Sequence, residues 1–433
     1  MENVFDQIFG FVLLKRNRKR EPAEASVRNR KRFGFEREEK ADRRELDAPQ
    51  NRPPMAVRVR KFGAPLYCCA WIGSASDEEV QTLVVGGGGG KGAHGIKNRL
   101  VVAQYRRKEG LTDEVSSCST GERTPQRMAV HPDGKDILVS MEDGCVLYHA
   151  FGRDSNGPGN DAVRVQPAEE RSTSLSSLPK DIKCMKFSAN GDKLVLGCED
   201  GSVFLYTWPD LQAVLQETGE RALRDSVTGI DLDDDGDVLL ATSYDGNCYI
   251  WNIKEEKIFQ LGSHKAEKST FRGCALSSDG KQVFVGRNSK GDAYVSRFAM
   301  KTWEMEKDVP VMKGQAITSF ECSPDRTHLV LGGSEGEVAV VKASPLRVQK
   351  RTKKMHMVFV TAASFSRTGD MALTVSADAS AVCTSNTSKS STGAFLLLSL
   401  LVLLVAILAY HVGDVSLIGL RTQIEQESQN KNE

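Results

Sequence analysis

Between residues 55 and 386 the chain repeats one pattern of polar and apolar positions. A polar turn leads into a short apolar run. A second turn, ending in Asp-Gly or Glu-Gly, usually leads into another. The copies are His131–Gly144, Ser188–Gly201, Asp233–Gly246, Ser278–Gly286, Ser323–Gly336 and Ser366–Val375. Short apolar runs bounded by turn residues predict strands joined by tight turns. The turn residues at 134, 191, 236, 280, 326 and 369 lie 57, 45, 44, 46 and 43 residues apart. A period of about 40–45 residues is that of one four-stranded propeller blade.

Six such units, with Leu66–Tyr105 as another, predict seven blades. Trp251 after Cys248-Tyr-Ile, and Trp208 after Val203-Phe-Leu-Tyr, stand where the tryptophan of a WD-type blade stands. The segment Asp154–Lys180, rich in Gly, Ser, Pro and charge, is expected to be a surface loop that accounts for the longest spacing. The last unit, near Met357–Thr384, has sequence for three strands, and the alternating Val57–Phe62 has no blade of its own. It is expected to supply the missing strand, because a closed ring leaves no free sheet edge. The fold class is thus all-β, a seven-bladed WD-type β-propeller over residues 55–386, followed by one C-terminal transmembrane helix.

That helix is expected at residues 394–412, nineteen residues without Asp, Glu, Lys or Arg. At about 1.5 Å per residue they reach roughly 28 Å, enough for a bilayer core. Lys350, Arg351, Lys353, Lys354 and Lys389 precede the span, whereas Asp414 follows it most closely. The positive side marks the cytosolic side. The expectation is a single-pass anchor with a cytosolic propeller, a short linker at 387–393 and a lumenal tail at 413–433. The short span suits the thin endoplasmic-reticulum membrane. No secretory signal is read at the start, since acidic Glu2 precedes and Asp6 stands at the head of the mildly apolar Phe5–Leu14, and a basic run follows it.

Residues 1–54 are polar, charged and aperiodic, and are read as a disordered basic tail. Residues 15–44 hold thirteen Lys or Arg. The whole chain carries a net charge of only +1, so no nucleic-acid partner is expected. The ten cysteines show no CxxC pair. They are read as free thiols of a reducing compartment, most within apolar strands, and not as zinc ligands.

One stretch breaks the β pattern. Gly86–Asn98 holds seven glycines in thirteen residues, between the apolar Thr82–Val85 and Leu100–Ala103. Glycine loses the most backbone entropy on ordering, so such a run is costly in a regular place and points to a site. Gly90-Lys91-Gly92-Ala93-His94-Gly95 formally matches GxGxxG, but a strand-like segment follows it where a dinucleotide site needs a helix. Gly92 follows Lys91, where a phosphate-binding Walker loop needs Ser or Thr. His94 has no second ligand nearby, and no nucleophile–base pair can be assembled. No covalent chemistry is expected.

A first blade with GGGG-x-G-x-x-G-I-x-N, a WD-type propeller and a C-terminal apolar span resembles the endoplasmic-reticulum guanine-nucleotide exchange factors for the Sar-type small GTPase. This is the prolactin regulatory element-binding protein family. The resemblance covers roughly residues 56–412. It implies an exchange factor that starts coat protein complex II vesicle formation, with no cofactor beyond a potassium ion. Gly87, Gly88, Gly89, Gly90, Gly92 and Gly95 would form an ion-ordering loop. Ile96, Lys97, Asn98 and His94 would contact the GTPase. Lys91 stands where the family commonly has an acidic residue, and Lys97 where it has a proline. The alternative is a membrane-tethered propeller scaffold that assists cargo export without exchange activity.

Overall fold

The computed structural model describes residues 59–73, 79–91, 95–152, 163–169, 175–255, 257–261, 269–386, 399–404, 407 and 421–425. The chain divides into two compact units, Met1–Thr384 and Ser385–Glu433.

The first unit is a ring of seven sheets among the described residues. The inner strands of blades 1 to 7 are Leu66–Ile72, Arg127–Val130, Ile182–Phe187, Val227–Leu232, Ser269–Leu276, Ile317–Cys322 and Val360–Phe365. Each touches the next, and the last touches the first. Val59–Lys61 lies antiparallel to Ser380–Ser385, with Val59 opposite Val382. The N-terminal strand therefore completes blade 7 and closes the ring, as its alternation predicts.

The six period-setting turns share one geometry. The amides of Gly134, Gly191, Gly236, Gly280, Arg326 and Gly369 each donate to the carbonyl three residues earlier. All six residues have φ between 56° and 82°. Five are glycines, which adopt this left-handed geometry freely. Arg326 does not, and its side chain supplies the compensation described below.

The apolar runs between these turns are continuous because the second strand of each blade is buried on both faces. Leu83 and Val85 pack between blades 7 and 1, while Val84 between them packs between blades 1 and 2. Leu194 and Leu196 face blade 2, and Val195 faces blade 4. Seven apolar clusters result, one at each blade boundary.

One expectation needs correction. Asp154–Lys180 is not all loop. Arg164–Pro167 pairs with Gly144–Phe151 as the outer strand of blade 2. Leu175 and Leu178 are buried between blades 2 and 3. A four-residue edge strand ending in proline is too short to carry a period, and proline is tolerated there because an edge needs fewer amide donors.

The ten cysteines are all free, with Cys118, Cys145 and Cys184 only partly buried. In the second unit, residues 399–404 and 421–425 are helical. Among the described residues no helix is long and apolar enough to cross a membrane. The tail at 1–54 and most of the segments at 387–393, 394–412 and 413–433 lie outside the described residues.

His356 lies just before the inner strand of blade 7 and is buried between two hydroxyls. Nδ1 is 2.6 Å from Ser380 Oγ and Nε2 is 2.9 Å from Thr374 Oγ1. Burial pushes its pKa down to about 4, against a weaker opposing pull from Asp378. The unfolded chain thus binds a proton near pH 6.5 that the folded chain refuses until about pH 4. Stability from this group is complete above pH 6.5 and is lost as pH falls towards 4, by roughly 3 kcal/mol. Urea unfolding between pH 7 and 4 should show a shallower pH slope in His356→Gln than in the parent. Equal slopes would contradict the assignment.

Candidate functional site

The glycine run connects the second and third strands of blade 1, Val80–Gly87 and Asn98–Arg106. Its first part is not a free loop. A Cβ on Gly86 would lie 2.7 Å from Cys68 Sγ and 2.9 Å from Pro125 Cβ. On Gly87 it would fall 1.9 Å from the Pro65 carbonyl oxygen, and on Gly88 2.1 Å from Asn98 Oδ1. No side chain fits at these three positions, so their glycines serve close packing at the loop's root. Gly87 itself belongs to the strand and pairs with Arg99.

Beyond the root the backbone turns outward. Gly90 and Gly95 have φ of 77° and 84°. The space around Gly95 is open. Lys91, Ile96 and Lys97 are exposed, Ile96 by 43%. Gly92 and His94 lie outside the described residues.

Asn98 points the other way. It is only 3% exposed. Its Oδ1 accepts the Gly90 amide at 3.0 Å and the Thr124 hydroxyl at 3.4 Å. Its Nδ2 donates to the Gly121 carbonyl at 3.1 Å. The Thr124 amide donates to Glu142 Oε2 at 3.0 Å, which ties the assembly to blade 2. Arg99 donates to the Phe62 carbonyl at 2.8 Å and pairs with Glu114 at 2.7 Å. The loop root is thus fastened to the outer part of blade 1, to blade 2 and to the segment after the closing strand. In this conformation Asn98 organises the loop from inside, and Ile96 and Lys97 form its outward part. The sequence does not single out Gly121 and Thr124, 23 and 26 positions from Asn98, or Glu142, which holds Thr124, because nothing local marks residues so far along the chain as partners.

None of the described hydrogen bonds ends on the carbonyl oxygens of Gly88, Gly89 or Gly90. Neutral backbone oxygens of this kind suit a weakly hydrated monovalent cation, as in carbonyl-lined ion filters. Among the described residues no group of three or more His, Cys, Asp or Glu could hold a metal ion. The nearest thiol, Cys68, is pushed by burial up to about 12, so it offers no thiolate.

The site is therefore an exposed loop braced on the ring of blades, and loops held in this way on a scaffold are where binding residues concentrate. The model of the WD domain, G-beta repeat matches residues 172–207 and 217–252, in blades 3 and 4. SEC12-like protein 2 of Arabidopsis thaliana is 24% identical over 300 residues, 67% of this chain and 72% of that protein. SEC12-like protein 1 of the same plant is 27% identical over 238 residues, 54% of this chain and 56% of that protein. The guanine nucleotide-exchange factor SEC12 of Candida glabrata is 23% identical over 350 residues, 74% of this chain and 70% of that protein. The chain is thus similar to proteins named SEC12-like and SEC12, consistent with the family that the loop motif and the propeller together resemble.

Proposed function

We propose that the chain is a guanine-nucleotide exchange factor for the Sar-type small GTPase. The observation that carries this reading is the blade 1 loop, with Asn98 pinning it and Ile96 presented to a partner. The yeast relative named as an exchange factor supports it. Exchange of this kind is differential binding. A protein that prefers the nucleotide-free GTPase lowers nucleotide affinity by the same coupling energy. This needs an apolar wedge and a held backbone, not an acid or base. The carbonyls of Gly88, Gly89 and Gly90 would hold a potassium ion that stiffens the loop further. Residues 394–412 would anchor the propeller to the endoplasmic-reticulum membrane, with the C-terminus lumenal. The GTPase would then be activated at the surface where coat protein complex II assembles, at a raised effective concentration.

The second reading is a membrane-tethered scaffold for cargo export without exchange. Lys91 favours it, since a cation beside the carbonyls opposes potassium. Release of labelled GDP from the matching Sar-type GTPase, with the full chain in detergent, separates the two. Acceleration of about 10-fold or more, a barrier change of about 1.4 kcal/mol, that is greater in potassium than in sodium is expected. No acceleration in either salt would end the exchange reading.

A further inference from the structure

The inner strands of all seven blades line a central cavity of about 570 Å³. Volumes of this size accommodate small-molecule ligands. Six of the seven inner strands carry a β-bulge near their start. The residues left unpaired there are Tyr67, Lys183, Thr228, Arg272, Thr318 and Thr361. Three of these are threonines that spend their hydroxyls on the backbone. Thr361 donates to Leu66 O at 2.7 Å, Thr318 to Val360 O at 2.7 Å and Thr228 to Thr242 O at 3.2 Å. The first two bonds join one blade to the next.

At blades 3 and 5 the same position holds Lys183 and Arg272, for whose side chains no such bond to a carbonyl is described. Arg272 lies over the Tyr244 ring at 4.5 Å. None of the described hydrogen bonds or ion pairs uses its guanidinium, and its Nε is buried without a partner. Arg127 of blade 2 donates through Nε to Lys183 O at 2.6 Å and through one terminal nitrogen to Gln126 O at 2.9 Å. It has no carboxylate among the described ion pairs. Lys183 has one, Glu199 at 3.2 Å. Burial lowers the pKa of both arginines from the ordinary value, and neither has a carboxylate within ion-pair distance among the described residues, although Tyr244 and Asp225 partly oppose the shift at Arg272.

The other cations of the cavity are accounted for. Lys186 is bonded to Asp231, and Arg326 to Asp231, Asp234 and two carbonyls. Arg367 donates to Pro132 O. Arg272 thus occupies a bulge position with no described hydrogen bond or ion pair, the side chain of Arg127 at the start of its own inner strand is bonded only to carbonyls, and Lys183 adds a third cation at that end.

We propose that Arg127, Lys183 and Arg272 form a binding site for a phosphate-bearing anion at the end of the channel where the inner strands begin. A phosphate group offers several acceptor oxygens and up to two charges to cations around one cavity, and guanidinium donors match it in pairs. The glycine loop leaves blade 1 at the same end, since Leu66 at the start of the inner strand registers with Gly87. The same chemistry is offered by a free polyphosphorylated small molecule or by a phosphorylated lipid head group.

The test is titration of the full chain in detergent with inositol hexakisphosphate, and flotation with vesicles containing phosphatidylinositol 4-phosphate. Saturable binding that weakens as salt rises is expected. Binding of the soluble probe alone identifies a free anion as the source. Binding only to the vesicles identifies a head group. Arg272→Met and Lys183→Met should each weaken binding by about 10-fold, the loss of one charge-assisted contact. Arg272→Met should change the melting temperature little, because no described hydrogen bond is lost and only the ring contact with Tyr244 goes. Arg367→Met, toward the other end, should change binding by less than about 2-fold. The proposal is overturned by no saturable binding of either probe, by unchanged binding in Arg272→Met and Lys183→Met, or by an equal loss in Arg367→Met.

Discussion

Replacing Asp231 with alanine is expected to destabilise the propeller by about 3–5 kcal/mol, the usual cost of orphaning buried partners. The carboxylate is fully buried on the inner strand of blade 4. Lys186 of blade 3 is 2.7 Å from Oδ1, and Arg326 of blade 6 is 2.7 Å from Oδ2. The Leu276 amide of blade 5 donates to the same Oδ2 at 2.8 Å. Four blades therefore meet on one side chain. Desolvation opposes its charge, but the two cations and the amide outweigh it and hold the carboxyl below the usual range. Removing it takes the ion-pair partner from Lys186 and leaves Arg326 only the exposed Asp234, 3.2 Å away. Asp231→Asn keeps the shape and loses the charge, so a smaller but clear loss is expected. Urea unfolding followed by tryptophan fluorescence measures both. A loss below about 1 kcal/mol for Asp231→Ala would mean that the ring is held without this junction.

Asn98→Ala is expected to slow nucleotide exchange by at least about 10-fold, or about 1.4 kcal/mol of barrier. The loss would come from loop order and not from a lost contact with the GTPase. Alanine leaves the Gly90 amide and the Thr124 hydroxyl without their acceptor, and Gly121 O without its donor. The root glycines then allow many backbone states, and only the fraction of chains with a competent loop binds. Thr124→Val, which removes one of these bonds far from any partner, should slow exchange in the same direction but less. Ile96→Asp should abolish exchange while leaving the melting temperature unchanged, because Ile96 is exposed. If Asn98→Ala exchanges at the parent rate while Ile96→Asp does not, Asn98 does not organise the working loop.

The two residues show where sequence reading reaches and where it stops. The turn at Arg326 is visible in the repeat, because period and polarity are local. That an arginine occupies the left-handed position usually given to glycine is visible too. Why it is tolerated is not, since its partners Asp231 and Leu232 lie 95 and 94 residues away in the chain. Asn98 is likewise conspicuous as the last residue of the glycine run, yet its direction is set by Gly121 and Thr124 in the outer part of the blade. The run itself looked like one loop. The structure divides it into packed glycines at 86–88 and an outward turn beyond them.

By itself the sequence determined the number of blades, their turns, the strand that closes the ring and the place of the exceptional loop. These follow from short-range periodicity, which depends on neighbours within a few residues. Only the tertiary structure decided that Asn98 faces inward, that Asp231 joins four blades, and that Lys183 and Arg272 take bulge positions that three other blades give to threonine. Ring closure sets residues from different blades side by side, and no local pattern encodes which of them will meet.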